Sequence, residues 1–220
     1  MRKLTLFALA ATLLSCAGAK HGHQDATAHH SFADVAHWSA VFDDPSRDAW
    51  QQPAAIVQAL QLQPGMCVAD LGAGTGYFSR YLSAAVGESG TVLAVDSEPN
   101  LVVHLRQRAE LEQTANVVTI LASADNPRMP SGGVDVVLIV DTFHHIDDRL
   151  GYFRRLKRFL KPAGRVAIVD FKKEPLPIGP PPEHKLAREQ VIEEMHTAGY
   201  ELIAEPDVVR YQYVLIFRAD

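Results

Sequence analysis

The stretch Val68-Ala-Asp70-Leu-Gly72-Ala-Gly74-Thr75-Gly76-Tyr77 constrains this chain more than any other. The apolar run Cys67–Leu71 leads into it and a helical pattern, Tyr77–Val86, leads out. A short apolar run bounded by glycines reads as a buried strand. Glycine tolerates positive φ and lets a ligand approach the backbone closely. A strand, a glycine turn and a helix start, in that order, build a nucleotide-type site at the carboxyl edge of a parallel sheet. Any tight strand-to-helix turn uses glycines, so the spacing has to narrow the reading. A dinucleotide fingerprint runs Gly-x-Gly-x-x-Gly. Counted from Gly72, its third glycine would fall at Tyr77, whereas the third glycine here is Gly76. No Gly-Lys-Ser/Thr ending follows, which excludes a P-loop. Asp70, just before the glycines, repels phosphate and suits a cationic group such as an amino-acid ammonium.

From this loop onward, strand and helix patterns alternate. Strands are expected at Thr91–Val95, Val117–Leu121, Val134–Val140 and Arg165–Phe171. Helices are expected at Leu101–Gln113, Arg149–Leu160 and Leu186–Ala198. Val134–Val140 is almost uninterruptedly apolar, as a strand buried on both faces should be. Tyr200–Glu205 and Val208–Phe217, linked through Pro206-Asp207, read as a terminal strand pair with an antiparallel edge. The order predicts an α/β fold: a mostly parallel seven-stranded sheet with helices on both faces. Ahead of it, Phe32, Val35, Trp38, Val41 and Phe42 are spaced for a short amphipathic helix, and Asp48–Leu62 reads as a second.

The second strand ends in Asp96, where a carboxylate is placed to accept hydrogen bonds from both hydroxyls of a ribose. Helix capping, the alternative role, suits the neighbouring Ser97 better. Asp70-x-Gly72-x-Gly74-x-Gly76 followed by Asp96 resembles the first and second motifs of the class I S-adenosylmethionine (SAM)-dependent methyltransferases. The resemblance runs from about Pro64 to Phe171. It implies a Rossmann-like class I methyltransferase fold with SAM as cofactor. Gly72, Gly74, Thr75 and Gly76 would then lie along the methionine part, Asp70 near its amino end, and Asp96 with Ser97 at the ribose. Where related enzymes carry an acidic residue for the adenine edge, this chain has Ala122-Ser123-Ala124-Asp125, so Ala124 and Asp125 are the candidates.

The fourth strand ends Val140-Asp141-Thr142-Phe143-His144-His145. In the resembling family a Phe/Leu-His-His segment is frequent here and faces the cofactor methyl. Asp141 and Thr142 should therefore line the cofactor pocket, with His144 or His145 as a candidate general base. Histidine suits proton transfer near neutral pH, and a base is needed only when the nucleophile arrives protonated. The alternative is that one histidine packs or caps the next helix. The proline-rich loop after Asp170 and the segment Phe42–Trp50 are candidate covers for an acceptor pocket, and Lys172 and His184 candidate contacts to an anionic acceptor.

Residues 1–19 read as an export segment: a basic start, an apolar run from Leu4 to Leu14, then small residues. Leu13-Leu-Ser-Cys16 resembles a lipoprotein box, with Cys16 as the lipidated residue; simple cleavage is the alternative. The expected organisation is therefore a signal segment (1–19), a His-rich linker with an N-terminal helix (20–44) and the methyltransferase domain (45–220). The whole pattern also resembles exported bacterial methyltransferases of unassigned substrate. The expected partner is a small-molecule or envelope acceptor, with membrane contact only through Cys16. Rival readings are a non-catalytic SAM-binding scaffold and a protein carboxyl methyltransferase. With 21 basic and 26 acidic side chains and no basic run, no nucleic-acid partner is expected. Two cysteines preclude a disulfide framework or a cysteine-based zinc site, and His21, His23, His29 and His30 lack the spacing that would fix a metal geometry.

Overall fold

A computed structural model describes residues 32–220; Cys16, the expected signal segment and the four linker histidines lie outside the described residues. Seven strands form one sheet in the order β3-β2-β1-β4-β5-β7-β6. They are β1 (Cys67–Leu71), β2 (Thr91–Asp96), β3 (Val117–Leu121), β4 (Val134–Val140), β5 (Leu160–Phe171), β6 (Tyr200–Ala204) and β7 (Gln212–Ala219). The first five pair in parallel, and β7 runs antiparallel to both β5 and β6. The antiparallel strand thus sits one place in from the edge. β4 lies between β1 and β5, and its Val and Ile side chains are buried on both faces. Its one acidic residue, Asp135, accepts the Cys67 N–H at 2.8 Å and the Lys161 ammonium at 2.6 Å.

Helices α3 (Pro53–Ala59) and α4 (Ser79–Val86) cover one face, burying Ile56, Leu60, Leu82 and Val86 against Val68, Val92, Val136 and Val169. α5 (Pro99–Leu111) packs on the β2–β3 end of that face through Leu105 and Ala94. α6 (Arg149–Leu156) and α7 (Arg188–Thr197) cover the other face, where Phe153, Leu156, Val191 and Met195 meet Leu71, Val95, Ile139 and Ile168. The alternation of side chains along each strand supplies both faces.

Several boundaries depart from expectation. The single helix expected at Asp48–Leu62 is two, α2 (Arg47–Gln51) and α3, because Pro53 disfavours helical φ/ψ at Gln52. Gln52 takes φ +49°, and Pro53 then opens α3 at the position proline favours. α5 starts two residues early, at Pro99, and its N-terminal cap is Glu98 rather than Ser97. α6 stops at Leu156, and one tight turn (Lys157–Phe159) passes directly into β5, which begins before Arg165 with a register shift against β4. β7 begins at Gln212 because its partner β5 ends opposite, at Phe171. α1 (Val35–Phe42) forms as expected; Asp34 caps it by accepting the His37 N–H.

Candidate active site

All carboxyl ends of β1, β2 and β4 open into one cavity of about 620 Å³, lined by the glycine loop, Asp70, Asp96, Ser97, Ser123, Ala124, Asp141, Thr142, His144 and His145. Gly72 at φ +79° and Gly74 at φ +57° hold a conformation that a side chain strains. A Cβ on Gly72 would also collide with the Thr142 side chain, so the loop seats directly on the β4 edge. Gly76 turns the chain away from the cavity and packs against Leu105. The Thr75 hydroxyl is buried on the cavity wall and meets no hydrogen-bond partner among the described residues.

Asp96 braces this loop: one oxygen accepts the Gly74 N–H at 2.8 Å and the other the Glu98 N–H at 2.9 Å. A carboxylate has about four acceptor positions, so capacity remains for a ligand hydroxyl. Burial raises the Asp96 pKa, against the lowering effect of those N–H groups. Asp70 is buried and accepts the Ser79 hydroxyl at 2.7 Å; burial pushes its pKa up to about 6. A carboxylate so placed gains from a cationic ligand group. Ser123 and Ala124 line the cavity but Asp125 does not: it is exposed and accepts the Ser123 hydroxyl at 2.9 Å. Of the two residues expected at the adenine edge, Ala124 thus lines the cavity and Asp125 does not.

The N-terminal helices roof the cavity. Trp38 stacks on Phe42 with ring centres 5.0 Å apart, Phe32 packs tilted against Trp38 at 4.8 Å, and all three line the cavity. Phe42 lies over Gly74, where a Cβ would stand 3.5 Å from its ring. Arg108 ties this roof down: its guanidinium donates to Asp43 at 2.8 Å and to the Thr75 carbonyl at 2.9 Å. Trp50 faces Phe171 at 5.7 Å, and Gly179 and Pro180 of the proline-rich loop complete that wall. Both segments expected to cover the pocket thus line it.

Arg47 bridges roof and sheet. Its guanidinium lies 4.2 Å from the Tyr77 ring centre and 3.7 Å from Asp141. Asp141, at φ +52°, accepts the Gln212 amide at 2.6 Å, and Gln212 accepts the Gln51 amide at 2.6 Å. Burial and then the charge of Asp170 push the Asp141 pKa up to about 7. His144 is buried against Asp170, with Nδ1 at 2.8 and 3.0 Å from the two carboxylate oxygens. His145 meets the edge of Phe32 at 5.6 Å.

Lys172 and His184 do not reach this cavity. Lys172 donates to the Arg210 carbonyl at 2.9 Å and lines a separate cleft with Arg188 and Glu205; His184 sits in a short turn, Pro182–His184. The reading of both as acceptor contacts is corrected accordingly: strand β5 carries Lys172 past the sheet edge toward β7 instead. Arg47, Gln212 and Asp170 line or support the site without having been singled out. Asp170 alone had a local signal, an acidic residue ending an apolar strand. Among the described residues no cluster of His, Cys, Asp and Glu is arranged to hold a metal.

Residues 68–164 match the family model of a methyltransferase domain. A SAM-dependent methyltransferase from Aquifex aeolicus superposes with a TM-score of 0.81 at 29% identity, covering 87% of this chain and 100% of that one. A ubiquinone/menaquinone biosynthesis C-methyltransferase of Shewanella sp. strain ANA-3 is 30% identical over 130 residues, 57% of this chain and 47% of that protein. A demethylmenaquinone methyltransferase of Lactococcus lactis is 27% identical over 146 residues, 66% of this chain and 57% of that protein. The chain spans about half the length of the curated relatives it matches. It carries a class I SAM-dependent methyltransferase domain of Rossmann-like fold. Its cofactor is SAM, and the glycine cradle, the unpartnered Thr75 hydroxyl and the two carboxylates Asp70 and Asp96 fit that group.

Proposed function

We propose that this chain transfers the methyl group of SAM to a small, flat, largely apolar acceptor. One observation carries the reading: a single cavity joins the glycine loop and Asp96 to an aromatic enclosure of Phe32, Trp38, Phe42, Trp50 and Phe171, with His144 and His145 also on its wall. Bound SAM supplies an electrophilic methyl on a sulfonium, which reacts by in-line displacement. Gly72, Gly74 and Thr75 would hold the methionine part, Asp70 its ammonium side, Asp96 and Ser97 the ribose, and Ser123 and Ala124 the adenine edge. Thr142 and Asp141 close the floor. The aromatic rings exclude water and present flat apolar faces, which favour a planar partner by stacking. His144 takes the proton of an acceptor that arrives protonated. The names of the curated relatives support a ring acceptor, since they act in quinone biosynthesis.

Isothermal titration with S-adenosylhomocysteine tests the cofactor half: wild type binds, and Asp96→Ala weakens binding tenfold or more. Absence of binding by wild type would sink the reading. Labelled SAM with a panel of hydroxylated aromatic acceptors tests the other half.

We also propose that the chain works at the cell envelope, tethered through Cys16. The support is the basic start, apolar run and Leu13-Leu-Ser-Cys16 pattern of residues 1–19. Mass spectrometry of the native N-terminus checks it; an unprocessed Met1 would refute it.

A further inference from the structure

Asp170 ends β5 with no solvent exposure and is not among the residues lining the cavity. A carboxylate in that position is costly unless it is paired. Among the described residues its side chain bonds to two: the Phe171 N–H, 2.8 Å from Oδ1, and the His144 ring, whose Nδ1 lies 2.8 Å from Oδ2 and 3.0 Å from Oδ1. His144 itself lines the cavity. An ionised carboxylate only accepts hydrogen bonds, so Nδ1 carries the ring hydrogen and the lone pair belongs to Nε2. Such a buried pair adds little stability over well-packed apolar side chains, so folding alone does not account for it.

We infer that Asp170 is a positioning residue: it fixes the tautomer of His144 and holds the charge that forms there, so that Nε2 takes a proton from an acceptor that enters the cavity protonated. This deepens the methyl-transfer reading above and rests on it for the identity of the donor. In the step, the acceptor's O–H bond breaks, an N–H bond forms at Nε2, and the electron pair stays with the acceptor, shared by conjugation between the oxygen and the carbon that can attack the methyl. The proton later leaves the imidazolium for water. The acceptor class follows from the base. It is an enol or phenol, weak enough as an acid to arrive protonated and strong enough to yield its proton to an imidazole. A thioether or tertiary amine brings its own lone pair and needs no such residue.

The charged groups around the ring are Asp170 from β5, Asp141 from the end of β4, and Arg149 from α6, which is itself held by Glu194 of α7 at 2.6 Å. His145 lies beside it at 4.2 Å, and the Lys185 ammonium, 5.6 Å from the Phe171 ring centre, feels the charge of Asp170. Burial favours the neutral imidazole, but the carboxylates of Asp170 and then Asp141 outweigh it, and the net shift is upward.

The test is nitrogen NMR of the full chain labelled at histidine, with His144→Gln assigning the signal. Wild type should show the hydrogen on Nδ1 and a midpoint above that of an ordinary histidine, about 6.5. Asp170→Asn keeps an acceptor for the Phe171 N–H while removing the charge. It should lower the His144 midpoint by about one unit or more and release the tautomer. Should Asp170→Asn fail to fold, Asp141→Asn provides a smaller downward shift. A wild-type His144 with its hydrogen on Nε2, or a midpoint unmoved in Asp170→Asn, overturns the inference. Homocysteine-analogue calorimetry on the same samples keeps the two readings apart: wild type that does not bind S-adenosylhomocysteine fails as a methyltransferase, whatever the NMR reads for His144.

Discussion

Gly72 and Thr142 share a space that holds one side chain and not two. Gly72→Ala adds a Cβ into the Thr142 side chain at φ +79°, so two costs combine. The backbone part is on the order of 1 kcal/mol and the overlap about 1–3 kcal/mol more. Thermal unfolding should show Gly72→Ala lowering the Tm, and the pair Gly72→Ala with Thr142→Ala recovering only part of the steric share, since the Cβ of residue 142 still lies 2.8 Å away. Recovery to the wild-type Tm would mean that the positive φ costs nothing. At this scale the sequence discloses the residues that lie next to one another in the chain. Asp70, the glycines and Asp96 are legible because strand ends converge at one sheet edge, and a carboxylate there has a limited set of uses. Arg47 and Gln212 are not legible in the same way, and Asp170 is legible as a strand-end carboxylate but does not disclose His144 as its partner. Gln212 and Gln51 are 161 positions apart, and no local pattern foretells that they meet. Asp125 misleads for the opposite reason: it has the expected chemistry but is exposed, on a turn closed by Ser123 and Asn126.

The cofactor loop and the roof are joined through Arg108 of α5, which binds Asp43 at the end of α1 and the Thr75 carbonyl of the loop. Removing that guanidinium with Arg108→Met leaves the apolar stem and cuts both ties. The roof should then become a protease-sensitive segment: limited proteolysis should cleave between residues 32 and 52 several times faster than in wild type. S-adenosylhomocysteine should slow the cleavage in wild type more than in the variant. Equal cleavage rates would show that the aromatic stack alone holds α1 down. The elements themselves were readable from periodicity, β4 to the residue, since a run of β-branched side chains flanked by turns has one reading. The break between α2 and α3 was readable in principle from Pro53. The start of β5 was not, because Lys161-Pro-Ala-Gly164 has the composition of a turn, and only pairing with β4 across a register shift extends the strand through it.

Across the whole molecule, several acidic and imidazole groups are held protonated more readily than in an unfolded chain. Asp141 is raised to about 7 and Asp70 to about 6, in both cases first by burial, and His144 is raised as well. A group whose folded pKa lies above its unfolded value stabilises the fold below that unfolded value and loses the contribution as pH rises through the folded one. The unliganded protein should therefore lose stability, read as a falling Tm, as pH rises from about 4, the unfolded carboxyl value, through about 7. Asp141→Asn keeps the Gln212 contact and should flatten that slope; a Tm that rises with pH over this window would contradict the assignment. Topology was legible as far as the parallel strands, because each follows its helix in turn. The place of β7 was not, since a terminal strand pair can add to the edge in either order. Its insertion between β5 and β6 has a consequence for biosynthesis. β7 is the strand that joins β6 to the rest of the sheet, so a polypeptide stalled or clipped ahead of Gln212 leaves β5 with a bare edge and β6 without a partner. A chain cut ahead of Gln212 therefore offers the β5 edge as a template for a foreign strand, and aggregation reports the cut.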